Sequence, residues 1–394
     1  MTQYSSNDLY DLDADLTPGE KALRDRTRAW VADTFMPHVN KSWELGVFPT
    51  ELATEVGALG AFGCSIEGYG CPNIGARSYG LIMRELERGD SGLRTLASVQ
   101  GALAMNAISF YGTEDQKQTW LPTMATGEHL GCFGLTEPGF GSNPGGMETI
   151  ARRSGDEWVL NGEKMWIGNA DVAHCAIIWA TVEEPGNPKA IRGFLVPTDV
   201  KGYESSLIDG KYSLRIARTC RIRLTDVRVP ESALLPGTSI GLRAPLCCLD
   251  QARYGIAWGV LGAAEGCMDE VRRYAMERQV FGRRLDSFQM VQGKLADMLT
   301  RLTKAQLMSF RLAELKDAGR LNEEQVSMAK YANVEMAQDI ARTCREVLGG
   351  VGILDEYVVM RHLLNLESVA TYEGTKDIHR LVLGRWLTGV QAFR

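Results

Sequence analysis

A glutamate followed by a glycine is the first feature with chemical potential. The stretch SVATYEGTKDIHRLVLGR places Glu373 between Tyr372 and Gly374, where two helices meet. A carboxylate that is buried there could serve as a general base, because burial raises the pKa of a carboxyl group and makes it more basic. The alternative is a solvated acid at a helix boundary, since most glutamates are exposed. Gly374 would allow a sharp turn, and Thr375 can cap the next helix.

An arginine in an otherwise apolar segment is the second candidate. Arg94 follows LERGDSGL and precedes TLASVQGALAM. Because burying an unpaired guanidinium costs free energy, we expect it to have an anionic partner. Glu87 and Asp90 are nearby acids, and an ion pair with either would be purely structural.

A loop rich in glycine and hydroxyl groups is the third candidate. GCFGLTEPGFGSN begins as an apolar strand and opens into a loop whose backbone N–H groups suit a planar polar ring or a diphosphate, although an ordinary β turn has a similar composition. The adjoining GFGSNPGG lacks the third glycine of a dinucleotide fingerprint, and there is no P-loop or GxSxG, which disfavours nicotinamide chemistry and nucleotide hydrolysis. Trp166, in KMWIGN, fits either a ligand contact or the core.

Composition narrows the class of protein and its surroundings. The chain has 394 residues, enough for two or three domains, and a net charge of -6 with both signs interspersed. Without a basic block or a long apolar run, we expect no nucleic-acid partner, no membrane partner and no membrane-spanning helix. The acidic start and the final QAFR do not fit signal, transit or peroxisomal sequences, so a cytoplasmic location is expected.

The cysteines and histidines predict no metal site. Nine cysteines are scattered without a CxxC pair, which indicates a reducing compartment and no disulfide framework. The five histidines form no ligand pattern, and His362 in RHLLNLE is expected on a helix surface.

The hydrophobic pattern changes twice along the chain. Residues 17–126 are predicted to be helical, with Thr17 and Glu20 forming a capping box. Residues 128–237 contain strand-like runs such as HCAIIWATV, and Asn161-Gly162 predicts a hairpin because both residues tolerate positive φ. Helices of about thirty residues follow, with apolar i, i+3, i+4 spacing typical of a bundle.

Small residues in the first of these long helices would let a neighbouring helix approach closely. They are Gly255, Gly259, Gly262 and Ala263. A coiled-coil dimer is the alternative to a bundle, but the repeat drifts from strict heptads. The predicted fold is therefore mostly α with a central β domain: an N-terminal helical domain (residues 1–127), a central β domain (128–237) and a C-terminal helical bundle (238–394).

Seven stretches, in order, resemble the acyl-CoA dehydrogenase family, and within it the glutaryl-CoA dehydrogenases. They are RELERGDSGLRTLASVQ, GCFGLTEPGFGSN, KMWIGN, CLDQARYGIAWGVLGAAE, ERQVFGRRL, LGGVGI and TYEGTKDIHRLVLGR. The resemblance covers nearly the whole chain. It implies an N-terminal helical domain, a β-barrel-like middle domain and a C-terminal four-helix bundle, assembled as a homotetramer.

The resemblance also implies an FAD site between the β domain and the bundle, completed by a neighbouring subunit. The matching positions in the loop and the following strand are Phe133, Leu135, Thr136, Gly141, Ser142, Trp166, Ile167 and Gly168. Those implied to come from the neighbouring subunit are Arg278, Phe281, Gln289, Glu346, Gly349 and Gly350, and Thr375 and Asp377 follow the catalytic loop.

By the same resemblance, Glu373 is the base that removes the α-proton of an acyl-CoA while hydride leaves the β-carbon for the flavin. Arg94 would bind the distal carboxylate of the substrate, in a network with Glu87, Thr95 and Tyr372. The implied contacts of the CoA portion are Ser142, Asp250, Arg253 and Gly374.

Five positions depart from the pattern of the family. Gly168 replaces a threonine whose hydroxyl contacts the flavin, which could alter redox potential or oxygen access. Leu93 replaces a tyrosine, Thr95 a serine, Asn143 an aspartate and Val351 an asparagine. GYGCP and WIGN are also similar to plant short-chain acyl-CoA oxidases.

The function implied is FAD-dependent oxidation and decarboxylation of glutaryl-CoA to crotonyl-CoA, with electrons passed to an electron-transfer flavoprotein. The alternatives are a short-chain acyl-CoA oxidase, or a non-decarboxylating dehydrogenase of a related dicarboxylic or biosynthetic acyl thioester. A non-catalytic helical scaffold is disfavoured, because it would need neither Glu373 nor the flavin loop.

Overall fold

The first helix begins at the predicted capping box. In the computed structural model, which describes residues 7–392, α1 (Pro18–Trp30) is capped by Thr17. The Thr17 hydroxyl accepts a hydrogen bond from the Glu20 N–H at 3.2 Å, and the Glu20 carboxylate accepts one from the Thr17 N–H at 2.8 Å. The prediction is confirmed, and the two reciprocal bonds satisfy N–H groups that a helix start leaves free.

The remaining helices of this part surround a long buried helical segment. They are α2 (Val39–Leu45), α3 (Ala53–Ala58), α4 (Ala76–Gly89), α5 (Ser91–Ala97), α6 (Asn106–Tyr111) and α7 (Glu114–Thr126). A π-helical stretch, Ser98–Met105, joins α5 to α6 without interruption, and the run ends before Gly112 as predicted. Every residue from Ser91 to Ile108 is buried, so this segment forms the centre of the helical layer.

The middle of the chain forms one seven-stranded sheet curved into a half-barrel. Its strands are β1 (Gly131–Gly134), β2 (Ile150–Ser154), β3 (Glu157–Gly168), β4 (Cys175–Glu184), β5 (Asn187–Pro197), β6 (Tyr203–Leu207) and β7 (Thr219–Pro230). The order is β1-β4-β2-β3-β7-β6, with β5 paired to β4. Alternate residues of β4 pack against the helices (Ile177, Trp179) and inside the half-barrel (Ile178). This strand therefore contributes to two hydrophobic cores, one between sheet and helices and one within the half-barrel.

The predicted hairpin at Asn161-Gly162 is wrong. β3 continues through both residues with a register shift between Leu160 and Gly162, and the reversal lies earlier, where Ser154 pairs with Glu157. Gly162 has φ 149°, and a Cβ atom there would lie 2.4 Å from the Thr149 hydroxyl. Glycine is therefore needed in this β-bulge because there is no room for a Cβ atom. The dipeptide Asn-Gly alone does not distinguish such a bulge from a turn.

The last third of the chain is a helical bundle, as predicted. α8 (Arg243–Glu277), α9 (Gln289–Asp317), α10 (Glu323–Leu348) and α11 (Val358–Thr371) pack together, and α12 (Lys376–Thr388) lies against α10. A short hairpin of β8 (Gln279–Val280) and β9 (Arg283–Arg284) connects α8 to α9. None of the described helices is long and apolar enough to span a membrane. The predicted order of helices, sheet and bundle is confirmed.

Close approach of α4 to α8 depends on the predicted glycines. A Cβ atom on Gly262 would lie 1.8 Å from the carbonyl oxygen of Arg84, and one on Gly259 would lie 2.1 Å from a carboxylate oxygen of Glu87. No side chain fits at these distances, so glycine is required at both positions. The prediction from the sequence is confirmed.

The expectation that His362 lies on a helix surface is wrong. Its side chain is fully buried on the face of α11 that packs into the bundle, with Nε2 3.2 Å from the carbonyl oxygen of Arg88. Burial lowers the pKa of His362 to about 3, so the ring is neutral. All nine cysteines are free thiols, and the described residues contain no cluster of metal-ligating side chains.

Replacing Gly262 by alanine should destabilise the protein. The new methyl group would collide with the backbone of α4, and overpacking of this kind costs about 1–3 kcal/mol of the free energy of unfolding. Denaturant unfolding of the cofactor-saturated protein measures this. The matched control is Gly266→Ala on the same helix, where the nearest atom would be 3.5 Å away. The control should change stability by less than about 1 kcal/mol, and equal losses in the two variants would contradict the close-packing account.

Candidate active site

Glu373 lies in a strained loop between α11 and α12. Glu373 has φ 54° and Gly374 has φ 100°, so two consecutive residues adopt left-handed conformations. For a glutamate this costs free energy that the surrounding contacts must offset. Thr375 then caps α12, its hydroxyl accepting a hydrogen bond from the Ile378 N–H at 3.3 Å, as predicted. The result is a carboxylate directed inward rather than along either helix.

The Glu373 side chain is half-buried, and one oxygen of its carboxylate is fully enclosed. Its Oε2 atom is inaccessible to solvent and has no hydrogen-bond partner among the described residues. Burial raises the pKa of Glu373, while the positive charges of Arg94, Arg253 and Lys330 oppose that rise. A carboxylate with a raised pKa and an enclosed, unbonded oxygen has the properties of a general base.

Arg94 pairs with Glu87 and still keeps one nitrogen free. Both side chains have no exposed surface, and Nε of Arg94 donates to Oε2 of Glu87 at 2.8 Å. Nη2 donates to the hydroxyl of Tyr372, whereas Nη1 is buried and has no acceptor within residues 7–392. Asp90, the other acid near it in sequence, is bound instead by Arg361 at 3.1 Å. Arg94 therefore forms the structural ion pair with Glu87, but this pair leaves Nη1 of the guanidinium without a partner among the described residues.

Two hydroxyl groups that sequence reasoning missed lie close to this pair. Ser98 and Tyr79 are buried, and their hydroxyls lie near each other without a well-formed hydrogen bond among the described residues. Burial raises the pKa of Tyr79, and the charges of Arg94 and Glu373 also act on it. Ser98 could have been found, because residues four apart share a helix face with Arg94. Nothing in the sequence marks Tyr79.

Two cationic side chains bind the backbone of residues 372–374, the proposed catalytic loop. Lys330 of α10 donates to the carbonyl oxygens of Tyr372 at 3.1 Å and Gly374 at 2.8 Å. Arg253 of α8 donates from Nε to the carbonyl oxygen of Glu373 at 2.8 Å, and from Nη1 to a carboxylate oxygen of Asp250, also at 2.8 Å. Lys330 was also missed; a lysine in the apolar face of a long helix was its only signal.

The predicted flavin loop is shaped by a buried ion pair at its base. Glu137 accepts hydrogen bonds from the backbone N–H groups of Glu148 at 2.6 Å and Thr149 at 2.9 Å, and from Nζ of Lys164 at 2.8 Å. Lys164 has no exposed surface, and burial lowers its pKa to about 8. The tip of the loop, with Gly141 and Ser142, is exposed.

A bulge in β3 turns a tryptophan outward beside this loop. The register shifts between Lys164 and Ile167, and Trp166 has φ 64° with 58% of its surface exposed. The Met165 N–H donates to the carbonyl oxygen of Thr136 at 2.8 Å, which joins the bulge to the loop. An exposed indole beside hydroxyls and backbone N–H groups fits a planar aromatic ring such as a flavin.

Other predicted contacts on this side take different positions. Phe133, Leu135 and Ile167 are buried in the core, whereas Thr136 is half-buried. A Cβ atom on Gly168 would lie 3.0 Å from a methyl group of Val99, which belongs to the same helical run as Arg94. The loop and bulge are therefore joined to the Arg94 region through Val99.

The remaining predicted cofactor contacts lie elsewhere in the same chain. Arg278 ends α8, roughly 38 Å along the helix axis from Arg253. Phe281 is 92% exposed in the hairpin before Gln289, and Glu346 binds Lys294 of α9 at 2.9 Å. Gly349 and Gly350 follow Glu346 on the surface, while Asp377 is exposed on the first turn of α12. Arg278 and Phe281 are therefore far from Arg253 at the other end of α8.

Comparison with known proteins agrees with this geometry. The chain matches the acyl-CoA dehydrogenase N-terminal domain over residues 17–128, the middle domain over 132–227 and the C-terminal domain over 240–388. Two solved structures of a glutaryl-CoA dehydrogenase from Mycobacterium smegmatis, one in complex with FADH2, are 47% and 50% identical to it. In both, 99% of this chain and 100% of the other are covered, with a TM-score of 0.96.

Two further relatives broaden the comparison. The mitochondrial short-chain specific acyl-CoA dehydrogenase of Homo sapiens is 35% identical over 338 residues, which is 86% of this chain and 82% of the relative. A chain solved in work on the electron transferring flavoprotein of Acidaminococcus fermentans is 30% identical, covers 95% of this chain and 98% of its own, and has a TM-score of 0.90. From its sequence, its three matched domains and its fold, this chain belongs to the acyl-CoA dehydrogenase family.

Proposed function

We propose that this chain is an FAD-dependent dehydrogenase that oxidises glutaryl-CoA, or a closely related dicarboxylic acyl-CoA, and decarboxylates the product. The observation that carries the proposal is the free Nη1 of Arg94, buried in the region of the Glu373 carboxylate. Leaving a charged donor unpaired in the interior is costly, so the site favours a ligand that brings an anion to it.

Glu373 takes the proton from the carbon next to the thioester carbonyl. Its raised pKa makes the carboxylate a stronger base than an exposed glutamate. The backbone N–H of Glu373 has no acceptor in the described chain, so it can donate to the thioester oxygen as negative charge develops there. Bound FAD supplies the acceptor for the hydride that leaves the β-carbon.

Arg94 selects the acyl group. Its Nη1 donates to the distal carboxylate of the substrate, while Nε stays on Glu87 and holds the guanidinium in place. The hydroxyls of Ser98 and Tyr79 are available for the second carboxylate oxygen. A butyryl chain would instead place a methyl group against these polar atoms and leave them unpaired.

Decarboxylation follows from the conjugated product. The bond between the distal carboxylate and the γ-carbon breaks, carbon dioxide leaves, and the electron pair moves into the conjugated thioester. Glu373 then returns its proton to the γ-carbon, which gives crotonyl-CoA. Tyr372 keeps Arg94 in position through its hydroxyl, which is neutral because burial raises its pKa.

The cofactor and CoA sites use the residues matched to the family. Thr136, Ser142, Trp166 and Gly168 would face the flavin. Arg278 and Glu346 lie at the C-terminal ends of α8 and α10, away from Arg253 and Lys330, so they would serve a second copy within a homotetramer. For the CoA portion, Ser142, Asp250, Arg253 and Gly374 are proposed contacts, although Arg253 is already bound to Asp250 and to the loop.

An electron-transfer flavoprotein is the proposed electron acceptor. The alternative of an acyl-CoA oxidase rests on Gly168, where the missing side chain could admit oxygen. Val99 lies against that position, with a methyl group 3.0 Å from where a Cβ atom would be, so the space is already partly filled. This contact favours the dehydrogenase.

Glutaryl-CoA added without oxygen should bleach the flavin and release carbon dioxide. We expect about one carbon dioxide per flavin reduced, because each oxidation generates one decarboxylating intermediate. Absorbance and trapped carbon dioxide measure the two events, and butyryl-CoA serves as the control that has no carboxylate to lose. Bleaching without carbon dioxide would restrict the activity to dehydrogenation, and rapid peroxide formation in air would favour the oxidase.

Substitution of Arg94 should change substrate choice rather than abolish the chemistry. In Arg94→Gln, kcat/KM for glutaryl-CoA should fall about 100-fold or more, since a charge-assisted hydrogen bond is lost, whereas butyryl-CoA should lose less than about tenfold. Arg361→Gln is the matched control, because it removes another buried arginine that pairs with Asp90. Equal losses on both substrates in Arg94→Gln would remove the carboxylate role.

Substitution of Glu373 should separate binding from proton removal. Glu373→Gln should keep FAD and bind the acyl-CoA, but flavin bleaching should fall by at least about 1,000-fold because the base is gone. In the unmodified protein, activity should rise with pH through the pKa of Glu373, above the ordinary value for glutamate, because only the carboxylate form accepts a proton. Turnover retained in Glu373→Gln would show that another residue is the base.

A further inference from the structure

Lys330 is a buried lysine whose contacts converge on the catalytic loop. It is 1% exposed, and its ammonium group binds the carbonyl oxygens on both sides of Glu373, at 3.1 Å to Tyr372 and 2.8 Å to Gly374. Arg253 binds the carbonyl oxygen between them at 2.8 Å. Three consecutive carbonyl groups are therefore fixed by two side chains from different helices of the bundle.

We propose that Lys330 is a positioning residue that orients the Glu373 N–H toward the thioester oxygen of the substrate. The inference rests on the proposed role of Glu373 as the base, but it holds for any acyl group. Lys330 acts through the backbone and does not touch the reacting atoms.

The peptide bond between Tyr372 and Glu373 is planar, which links the directions of its carbonyl group and its N–H. The carbonyl group of Tyr372 and the N–H of Glu373 belong to one peptide unit, and in a trans peptide they point in opposite directions. The described residues contain no cis peptide bond. Holding the carbonyl oxygen of Tyr372 on Lys330 therefore directs the Glu373 N–H to the opposite side, where none of the described residues accepts a hydrogen bond from it.

The strain of the loop makes such a restraint necessary. Glu373 and Gly374 have φ values of 54° and 100°, and a free chain would leave these conformations for more favourable ones. Charge-assisted hydrogen bonds to the carbonyl groups on both sides of Glu373 oppose that relaxation. An oxyanion donor is effective only when its direction is fixed before the reaction begins.

The charge of Lys330 adds a second, measurable effect. Burial lowers its pKa to about 7, and the carboxylate of Glu373 partly reverses this. Glu373 on the loop, Arg253 on α8, Arg94 on α5 and His379 on α12 are the titratable or charged groups that act on it. Since the charge of Lys330 lowers the pKa of Glu373, removing that charge should raise the pKa of Glu373 further.

A purely structural role is the competing account. Tyr372 ends α11, and a lysine near the C-terminus of a helix commonly binds the last carbonyl groups. Loss of Lys330 would then lower stability, but it would leave the kcat of the folded enzyme unchanged. Kinetics on the folded, FAD-loaded protein distinguish the two accounts.

The test compares Lys330→Met and Lys330→Gln with Lys316→Met in the FAD-loaded enzyme, using an acyl-CoA that the unmodified enzyme oxidises. Methionine removes both hydrogen bonds, and we expect kcat to fall about 100-fold, near the cost of losing an oxyanion donor, while KM changes less than about threefold. Glutamine keeps an N–H₂ donor without the charge and should recover at least about tenfold of the loss. Lys316 is a half-buried lysine bound to Gln251, and its substitution should leave kcat within about twofold.

Two further measurements should change if Lys330 positions the loop, but not if its role is purely structural. The acidic limb of the pH profile should move to higher pH in Lys330→Met and Lys330→Gln, but not in Lys316→Met. Acetoacetyl-CoA, whose enolate needs the same N–H donor, should enolise less readily when bound to Lys330→Met, as followed by the ultraviolet absorbance of the enolate.

The outcomes are decisive in both directions. Unchanged kcat in Lys330→Met, or a Lys330→Gln variant as slow as Lys330→Met with an unshifted pH profile, would overturn the proposal. If Lys330→Met does not fold, the recovery and pH shift of Lys330→Gln decide the question. Full activity in Glu373→Gln would show instead that the base is misassigned. That result would contradict the proposed function, but not the positioning of the loop by Lys330.

Discussion

Arg94 and Glu87 form an ion pair 2.8 Å apart with no exposed surface on either side chain, and the rest of the site is arranged around it. The attraction between two buried charges offsets the cost of removing them from water only at close range, and any polar atom left over favours a ligand that can bind it. α8 makes room for the pair, since a side chain on Gly259 would lie 2.1 Å from Glu87 and 3.3 Å from Arg94. Helix packing in the bundle thus determines where the guanidinium lies and leaves its Nη1 free.

The proposed catalytic loop depends on the same bundle. Arg253 on α8 and Lys330 on α10 bind the carbonyl groups of residues 372–374, so two helices of the bundle hold a backbone that would otherwise relax. Arg94 reaches the loop through Tyr372. The proposed base, its backbone N–H and the arginine proposed to select the substrate are therefore one connected unit, and a change in any of the supporting helices should affect all three.

Features governed by neighbouring residues could be predicted from the sequence. The Thr17 capping box, the Thr375 cap and the small residues of α8 were predicted correctly, because each depends on local geometry or on a pattern along one helix. Asn161-Gly162 was misassigned because its role is set by Thr149, a residue from another segment. Lys330 and Tyr79 were missed for the same reason: their importance comes from partners far away in the sequence, and His362 was placed wrongly because packing buries its face of α11.

The central claim is that the free Nη1 of Arg94 binds the distal carboxylate of a dicarboxylic acyl-CoA. A crystal structure of the FAD-loaded protein with a non-oxidisable glutaryl-CoA analogue tests it most directly. The account predicts a carboxylate oxygen about 2.7–2.9 Å from Nη1, the distance of a charge-assisted hydrogen bond, with Nε of Arg94 still on Glu87. A carboxylate that lies elsewhere, with Nη1 bonded to water or turned to a protein acceptor, would contradict it.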